Sequence, residues 1–259
     1  MTNKLKYFVG NWKMFGDLSS IKIIYKIYDF CNKFKKKHNN IKIIMCVPNT
    51  IIYFFLKKIK SSFFYIGAQN CHHYEKSGPY TGSVNALMLK KLGTKYIILG
   101  HSENRYSGDT NSIIKKKIDS ALKQNLNVIF CVGETLKEKM SGKTFSILRN
   151  QLKNSLDKKF KLANIIIAYE PVWSIGTGKI PTTKELKNIF KFIKIEFKKK
   201  FKQKKEPHVL YGGSVNDINI NKFSIIDDID GFLIGGASQK SKKFIDIIKN
   251  YYKKRTWKI

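Results

Sequence analysis

The sequence predicts an α/β protein in which eight parallel strands close into a single (β/α)8 barrel surrounded by helices. Two observations predict this fold. Short apolar runs alternate with longer amphipathic segments along the whole chain, and a length of 259 residues falls within the usual range for one such barrel. No linker rich in proline or serine interrupts the pattern, so we expect one domain over residues 1–259. An open, doubly wound sheet is the alternative, but it favours a Gly-x-Gly-x-x-Gly turn after an early strand, and the sequence has none.

The predicted strands are rich in Ile, Val and Phe and are nearly unbroken by polar residues. Strands that are buried on both faces of a parallel sheet have this composition. In chain order they cover residues 7–11, 41–47, 63–69, 95–100, 128–132, 165–170, 209–213 and 231–235.

The predicted helices lie between these strands and repeat their apolar residues with a helical period. They cover residues 19–36, 51–60, 84–92, 113–124, 144–158, 183–202, 217–223 and 242–253. The segment at 84–92 is short, and the pattern at 217–223 is weak. Because a helix follows each strand, the strands are expected to run parallel.

The chain is strongly basic, since 50 Lys and Arg residues against 18 Asp and Glu residues give a formal net charge of +32. Such an excess can indicate a protein that binds nucleic acid. The lysine runs at 35–37, 115–117 and 198–200 are scattered along the chain and do not form one arm or stripe. This distribution favours a solvated lysine coat on helix faces.

We expect no metal, no cofactor and no membrane span. None of the four cysteines belongs to a Cys-x-x-Cys pair, and the apolar runs are interrupted by lysine. The N-terminal residues lack the charged and then apolar leader of a signal peptide. A cytoplasmic protein with reduced cysteines is therefore expected.

Polar and glycine residues cluster at the carboxyl ends of the predicted strands, where a barrel of this kind carries its active site. These are Asn11, Lys13, His101, Glu103, Glu170, Gly212, Gly213, Ser214, Gly235 and Gly236. Taken singly, the lysine could be solvated, the histidine and the glutamate could be structural, and the glycines could form tight turns. Their shared position on one face of the barrel favours an active site.

Several motifs make the pattern more specific. They are NWKM at 11–14, GAQNC at 67–71, GHSE at 100–103, CVGE at 131–134, AYEPVWSIGTGK at 168–179, YGGSV at 211–215 and GFLIGGAS at 231–238. In order and spacing they resemble the triosephosphate isomerase family over essentially the whole chain. The resemblance implies a TIM barrel that interconverts dihydroxyacetone phosphate and D-glyceraldehyde 3-phosphate through an enediolate, in glycolysis and gluconeogenesis.

The resemblance also assigns the catalytic residues. Glu170 matches the family's base, which removes a proton beside the substrate carbonyl. His101 matches the electrophile, and Lys13 and Asn11 match residues that hold and polarise the substrate. Glu103 is expected to complete the catalytic set.

For the phosphate group, the resemblance assigns Gly176, Ser214, Gly235 and Gly236. Glycines allow a dianion to approach backbone N–H groups closely. Residues 171–179 resemble a lid that would shield the enediolate from water. Pro181, at the second hinge, stands where the family often has a small residue.

The resemblance further implies a homodimer, in which the loop from His72 to Gly82 reaches into the partner and Thr81 braces the region around Lys13. Two residues that commonly form an ion pair at this interface are replaced here by Ser83 and Asn104. Losing both charges leaves neither one uncompensated, so a dimer is still expected.

Two other functions remain open at this point. A catalytically retired basic barrel could bind nucleic acid or other polyanions, but the intact Lys13, His101 and Glu170 argue against it. A different phosphosugar enzyme could share the phosphate loops after the seventh and eighth strands, but it would not share the lid stretch at 171–179.

Overall fold

The structure, a computed structural model, describes residues 4–202 and 205–253 and contains a barrel of eight strands. The strands are β1 (Lys6–Asn11), β2 (Ile41–Cys46), β3 (Phe64–Gly67), β4 (Tyr96–Leu99), β5 (Asn127–Val132), β6 (Ile165–Tyr169), β7 (His208–Tyr211) and β8 (Gly231–Ile234). All eight were predicted, with ends that differ by at most two residues. The single-domain prediction for 1–259 includes residues 1–3, 203–204 and 254–259, which lie outside the described residues.

All neighbouring strands run parallel, in the order β3-β2-β1-β8-β7-β6-β5-β4. The two end strands meet through a bridge between Ala68 and Ile97. Ala68 donates to the Tyr96 carbonyl at 3.0 Å and accepts from the Ile98 N–H at 3.0 Å, which closes the ring. The predicted (β/α)8 barrel is thus confirmed, and all strands deliver their carboxyl ends to one mouth.

Ten α-helices lie in the described residues. They are α1 (Ile21–Lys35), α2 (Asn49–Lys58), α3 (Ala86–Leu92), α4 (Ser102–Tyr106), α5 (Asn111–Lys123), α6 (Leu136–Met140), α7 (Thr144–Ser155), α8 (Thr183–Phe201), α9 (Ile220–Phe223) and α10 (Ser241–Lys253). The sequence did not predict α4 and α6, because helices of five residues are too short to show a periodic apolar stripe.

Two predicted helices differ from the structure by three residues at one end. The one predicted at 144–158 ends at Ser155, because Leu156 is already extended and buried. The one predicted at 217–223 begins only at Ile220. The residues before Ile220 form an Asx turn instead. In this turn the Asn216 side chain accepts from the N–H groups of Ile218 and Asn219 at 3.0 and 2.7 Å.

The core has two layers, set by the alternation of side chains along each strand. In β1, Tyr7 and Val9 belong to a cluster inside the barrel, whereas Phe8 belongs to the larger cluster between the strands and the helices. Both layers exclude water, so the barrel is a packed scaffold and not a pore. Of the helices among the described residues, none is long and apolar enough to cross a lipid bilayer.

Candidate active site

A cavity of about 440 Å³ opens at the mouth of the barrel. Eight of the nine site residues expected from the sequence line it: Asn11, Lys13, His101, Glu170, Gly176, Ser214, Gly235 and Gly236. The ninth, Glu103, lines a neighbouring cavity of about 300 Å³ that also contacts Lys13 and His101. The barrel therefore brings together residues that lie up to 225 positions apart in the chain, from 11 to 236.

Glu170 and His101 face each other at the floor of the cavity. Glu170 Oε1 lies 3.2 Å from His101 Nε2, and the two side chains are 3% and 6% exposed. His101 Nδ1 accepts a hydrogen bond from the Glu103 backbone N–H at 3.2 Å. This bond assigns Nδ1 as the acceptor, so that Nε2 is the nitrogen that presents a proton to the cavity.

The second carboxylate oxygen, Glu170 Oε2, is buried and has no N–H or O–H donor among the residues the structure describes. The carboxylate also lies near the Cys131 thiol, whose pKa is raised well above its ordinary value by burial and then by the Glu170 charge. Cys131 therefore stays protonated beside the base.

Lys13 is held in place by three neighbours. Its backbone is left-handed, with φ of 56°, which is uncommon for a residue other than glycine. The Asn11 side chain accepts from the Lys13 N–H at 3.1 Å, and Gln69 donates to the Lys13 carbonyl at 3.0 Å. The ammonium group lies 2.5 Å from Glu103 Oε1. Glu103 thus acts on the cavity through Lys13 and its backbone contact with His101.

Two glycines make room for Glu170. A Cβ atom on Gly212 would lie 2.7 Å from Glu170 Cγ, and a Cβ on Gly133 would collide with the Glu170 backbone carbonyl. Neither position tolerates a side chain without moving the base. The sequence motifs at 131–134 and 211–215 contain both glycines, but only the tertiary contact shows that they border the glutamate.

Small residues from three loops line part of the cavity wall. Gly176 belongs to the lid, Ser214 to the loop after β7, and Gly235 and Gly236 to the loop after β8. Gly236 has open space where a Cβ would be, and Gly235 meets only Lys13 Cε, at 3.6 Å. This wall has the size and backbone exposure to receive a compact anion.

The first hinge of the lid, residues 171–173, rests on a buried carboxylate, Glu134. Glu134 accepts from the Tyr169 hydroxyl at 3.0 Å and from the Trp173 indole N–H at 3.0 Å. Burial raises the pKa of Glu134 although both donors act to lower it. Burial, followed by the Glu134 charge, raises the pKa of Tyr169, so the phenol keeps its proton and remains a donor.

Sequence reasoning missed the roles of Glu134 and of Arg105. Glu134 appears in the sequence only as the last residue of the CVGE motif at 131–134, and Arg105 belongs to none of the motifs. The T-x-x-E pattern of Thr135 and Glu138 was available as a helix-start signal, and it forms a capping box at α6. No local pattern identifies Arg105, because its partners lie on other elements.

No group of three or more potential metal ligands occurs in 4–202 and 205–253.

Comparison with known proteins agrees with this geometry. The family model described as triosephosphate isomerase matches residues 6–251. A triosephosphate isomerase from Alkaliphilus oremlandii is 37% identical over 246 residues, which are 92% of this chain and 96% of the relative. One from Borrelia garinii subsp. bavariensis is 40% identical over 250 residues, 94% of this chain and 98% of the relative.

A solved structure of triosephosphate isomerase from Bartonella henselae superposes with a TM-score of 0.86 and 33% identity, and covers 95% of this chain and 99% of that one. These matches give no support to a retired barrel that binds polyanions. The fold, the arrangement of the mouth and the similarity over nearly the whole chain lead to one conclusion. The chain belongs to the triosephosphate isomerase family.

Proposed function

We propose that Glu170 is the base with which this isomerase moves a proton between neighbouring carbons of its substrate. The enzyme interconverts dihydroxyacetone phosphate and D-glyceraldehyde 3-phosphate through an enediolate, a step of glycolysis and gluconeogenesis. The observation that carries the assignment is the position of Glu170, which is nearly buried on the cavity floor at 3.2 Å from His101.

The proposed reaction begins when Glu170 takes a proton from the carbon beside the substrate carbonyl. Negative charge then grows on the carbonyl oxygen. The Nε2 proton of His101 and the ammonium of Lys13 stabilise this charge, and Asn11 holds Lys13 in position through the bond from the Lys13 N–H. Glu170 then returns the proton to the neighbouring carbon, while the hydroxyl proton of one substrate oxygen passes to the other oxygen through His101 Nε2, and these two transfers complete the isomerisation.

Glu103 has a supporting part in this proposal. Its carboxylate pairs with Lys13 at 2.5 Å, and its N–H fixes the orientation of the His101 ring. The Lys13 ammonium can exchange this partner for the substrate oxygen when charge develops there. The exchange keeps the ammonium paired at each stage, which avoids an uncompensated charge.

The phosphate is proposed to bind the wall formed by Gly176, Ser214, Gly235 and Gly236. These residues line the same cavity as Glu170, so a phosphate bound to them would leave the carbon chain of the substrate within the cavity that contains the proposed base. The lid would close over the bound substrate and exclude water.

Replacing Glu170 with Asp tests the proposal. The shorter side chain withdraws the carboxylate from the substrate carbon, and general base catalysis is typically worth about 10²–10⁴-fold. We expect kcat to fall by roughly 10²-fold or more while the folded structure is retained. Turnover in a coupled assay with glyceraldehyde 3-phosphate is the measurement. A variant with kcat within a factor of a few of the wild type would refute the role of Glu170.

We also propose that the enzyme is a homodimer. The second cavity, beside Lys13, is bordered by Met14, whose residue surface is 100% exposed. The loop from His72 to Gly82 exposes Tyr74 and Tyr80, whose rings stack at 4.7 Å. An exposed aromatic loop and an open cavity of this kind are complementary surfaces, and Thr81 of the partner subunit would enter the cavity.

Finally, we propose a cytoplasmic location. Glycolytic chemistry supports it, and so do the four cysteines, which are free and buried. A fluorescent fusion of the full chain that concentrated in an organelle would contradict this proposal.

A further inference from the structure

Ser174 lies at the end of the first hinge of the lid, in the 3₁₀ turn Val172–Ser174, and is completely buried. Its hydroxyl donates to the Lys179 carbonyl at 2.5 Å, at the far end of the lid. It also lies 3.1 Å from the Tyr211 hydroxyl and accepts from the Ser214 N–H at 3.3 Å. One hydroxyl group therefore joins both ends of the lid to the loop after β7.

The direction of these bonds follows from counting protons. A serine hydroxyl has one proton and two lone pairs, and the proton of Ser174 is given to Lys179. The Tyr211 hydroxyl must therefore donate to Ser174. Burial raises the pKa of Tyr211, which keeps its proton in place. The Ser174 hydroxyl thus uses its full hydrogen-bonding capacity.

The Ser174 backbone adds a second connection. Its carbonyl accepts from the Ser214 hydroxyl at 2.7 Å, and the same Ser214 oxygen accepts from the Gly178 N–H at 3.2 Å. Gly178 is part of the lid, so Ser214 is held between its first hinge and its tip. The position of Ser214, a proposed phosphate contact, thus depends on Ser174.

Two further residues explain why the lid contacts the loop after β7 through Ser174. Pro181, in the second hinge, has no backbone N–H and cannot donate to the loop after β7. Gly213 lets that loop approach, since a Cβ there would lie 2.6 Å from the Ser174 oxygen. The close contact between lid and loop is thus built around the serine hydroxyl.

We propose that Ser174 is the positioning residue that holds the lid over the substrate phosphate. The inference rests on the proposed function, in which Glu170 generates an enediolate beneath the lid. When the lid is loose, an enediolate oxygen can re-form its carbonyl while the double bond shifts toward the third carbon. In the same step the bond between the third carbon and the phosphate oxygen breaks, and inorganic phosphate leaves with that electron pair, so that the enol of a 2-oxoaldehyde remains.

The test is Ser174→Ala in the full chain, with two readouts. Isomerisation of glyceraldehyde 3-phosphate is followed in a coupled assay, and inorganic phosphate released per turnover is measured in the same samples. Loss of two accepted bonds and one donated bond is expected to lower kcat/KM roughly tenfold. Phosphate release per turnover is expected to rise, an effect that a loss of stability alone would not produce.

Ser155→Ala is the matched control. Ser155 is also completely buried and its hydroxyl also forms a hydrogen bond, to Asn111 at 3.2 Å, but it lies on α7 away from the mouth. We expect this control to leave both kcat/KM and phosphate release unchanged. A rise in phosphate release in the control as large as that in Ser174→Ala would overturn the proposal.

Tyr211→Phe provides a second variant, which keeps Ser174 and removes only its partner's hydroxyl. It should raise phosphate release in the same direction, and the Ser174→Ala/Tyr211→Phe double variant should show less than the sum of the two effects. If the wild type isomerises normally and both single variants release no more phosphate than it does, the role of Ser174 is overturned alone. A wild type without isomerase activity would overturn the proposed function as well.

Discussion

At the scale of the residue, Glu170 fits its surroundings because two of its neighbours are glycines without side chains. Gly212 and Gly133 lie against its side chain and its backbone, respectively. His101 Nε2 contacts Glu170 Oε1 at 3.2 Å. The base is therefore held by shape on two sides and by a polar partner on the third, which suits a group that must reach one particular carbon.

This arrangement predicts the effect of Gly212→Ala. The new methyl group would lie 2.7 Å from Glu170 Cγ and 3.4 Å from Oε1, so the carboxylate has to move. A displacement near 1 Å at a reacting group can cost roughly 10²-fold in rate. We expect kcat to fall by about that factor, measured in the coupled assay, with little change in thermal stability.

Gly142→Ala serves as the control for this substitution. A Cβ at Gly142 meets nothing within 4 Å, but φ is +69°, so the variant carries backbone strain without a steric contact at the site. It should lose about 1 kcal/mol of stability and keep its kcat. The shape argument would fail if Gly212→Ala retained wild-type turnover.

At the scale of the element, α4 connects the ends of two strands that carry the site. Arg105, on this helix, donates from Nε to the Gly100 carbonyl at 2.8 Å and from Nη2 to the Cys131 carbonyl at 3.2 Å. Its Nη1 donates to Asn111 at 2.8 Å, at the start of α5. Gly100 directly precedes His101, so the guanidinium fixes the backbone from which the His101 side chain projects.

Arg105→Lys keeps the positive charge, but we expect it to lower both stability and kcat. An ammonium cannot reproduce three donors in a planar fork. The loss of about two hydrogen bonds should lower the free energy of unfolding by about 1–3 kcal/mol, as measured by urea denaturation. The freer Gly100 backbone should also lower kcat, and adding guanidinium ion to Arg105→Ala should restore part of it.

Arg149→Lys is a suitable comparison for that experiment. Arg149 also forms a two-point contact, with Glu196 at 3.1 and 3.2 Å, but its side chain is 52% exposed. Exposed ion pairs contribute about 0–1 kcal/mol, so this substitution should be nearly neutral. Equal losses in the two variants would argue against a special role for Arg105.

At the scale of the whole molecule, the surface around Lys13 in the single chain has an exposed apolar side chain and an open cavity. Met14 is fully exposed next to Lys13, and the cavity beside it is open. Ser83 and Asn104 form no ion pair across the proposed interface, so the attraction there would come mainly from apolar and aromatic groups. Such contacts are not weakened by salt in the way that exposed ion pairs are.

This reasoning predicts a dimer at micromolar concentration that persists at high salt, as measured by sedimentation. Met14→Glu should disrupt it, because burying an unpaired carboxylate costs about 3–5 kcal/mol, or roughly 10²-fold or more in Kd. Met140→Glu is the matched control, since Met140 is 80% exposed on α6 and should leave the dimer intact. A wild type that sediments only as a monomer would contradict the proposal.

The sequence by itself determined the barrel, because both of its signals are local. Strands buried on both faces must be apolar throughout, and helices that cover them must be amphipathic, so both can be recognised without knowing their neighbours. The site residues could be predicted for a related reason. A parallel barrel delivers every strand end to one mouth, so Lys13, His101 and Glu170 had to meet once the strands were placed.

Only the tertiary structure decided how these residues are held. The contacts of Arg105 with Gly100 and Cys131, of Gly212 with Glu170, and of Ser174 with Tyr211 join different elements. No periodicity or motif spacing records such a contact, because the distance between two elements depends on the packing of the whole barrel. The sequence therefore determined which groups can do the chemistry, and the packing decided their orientation.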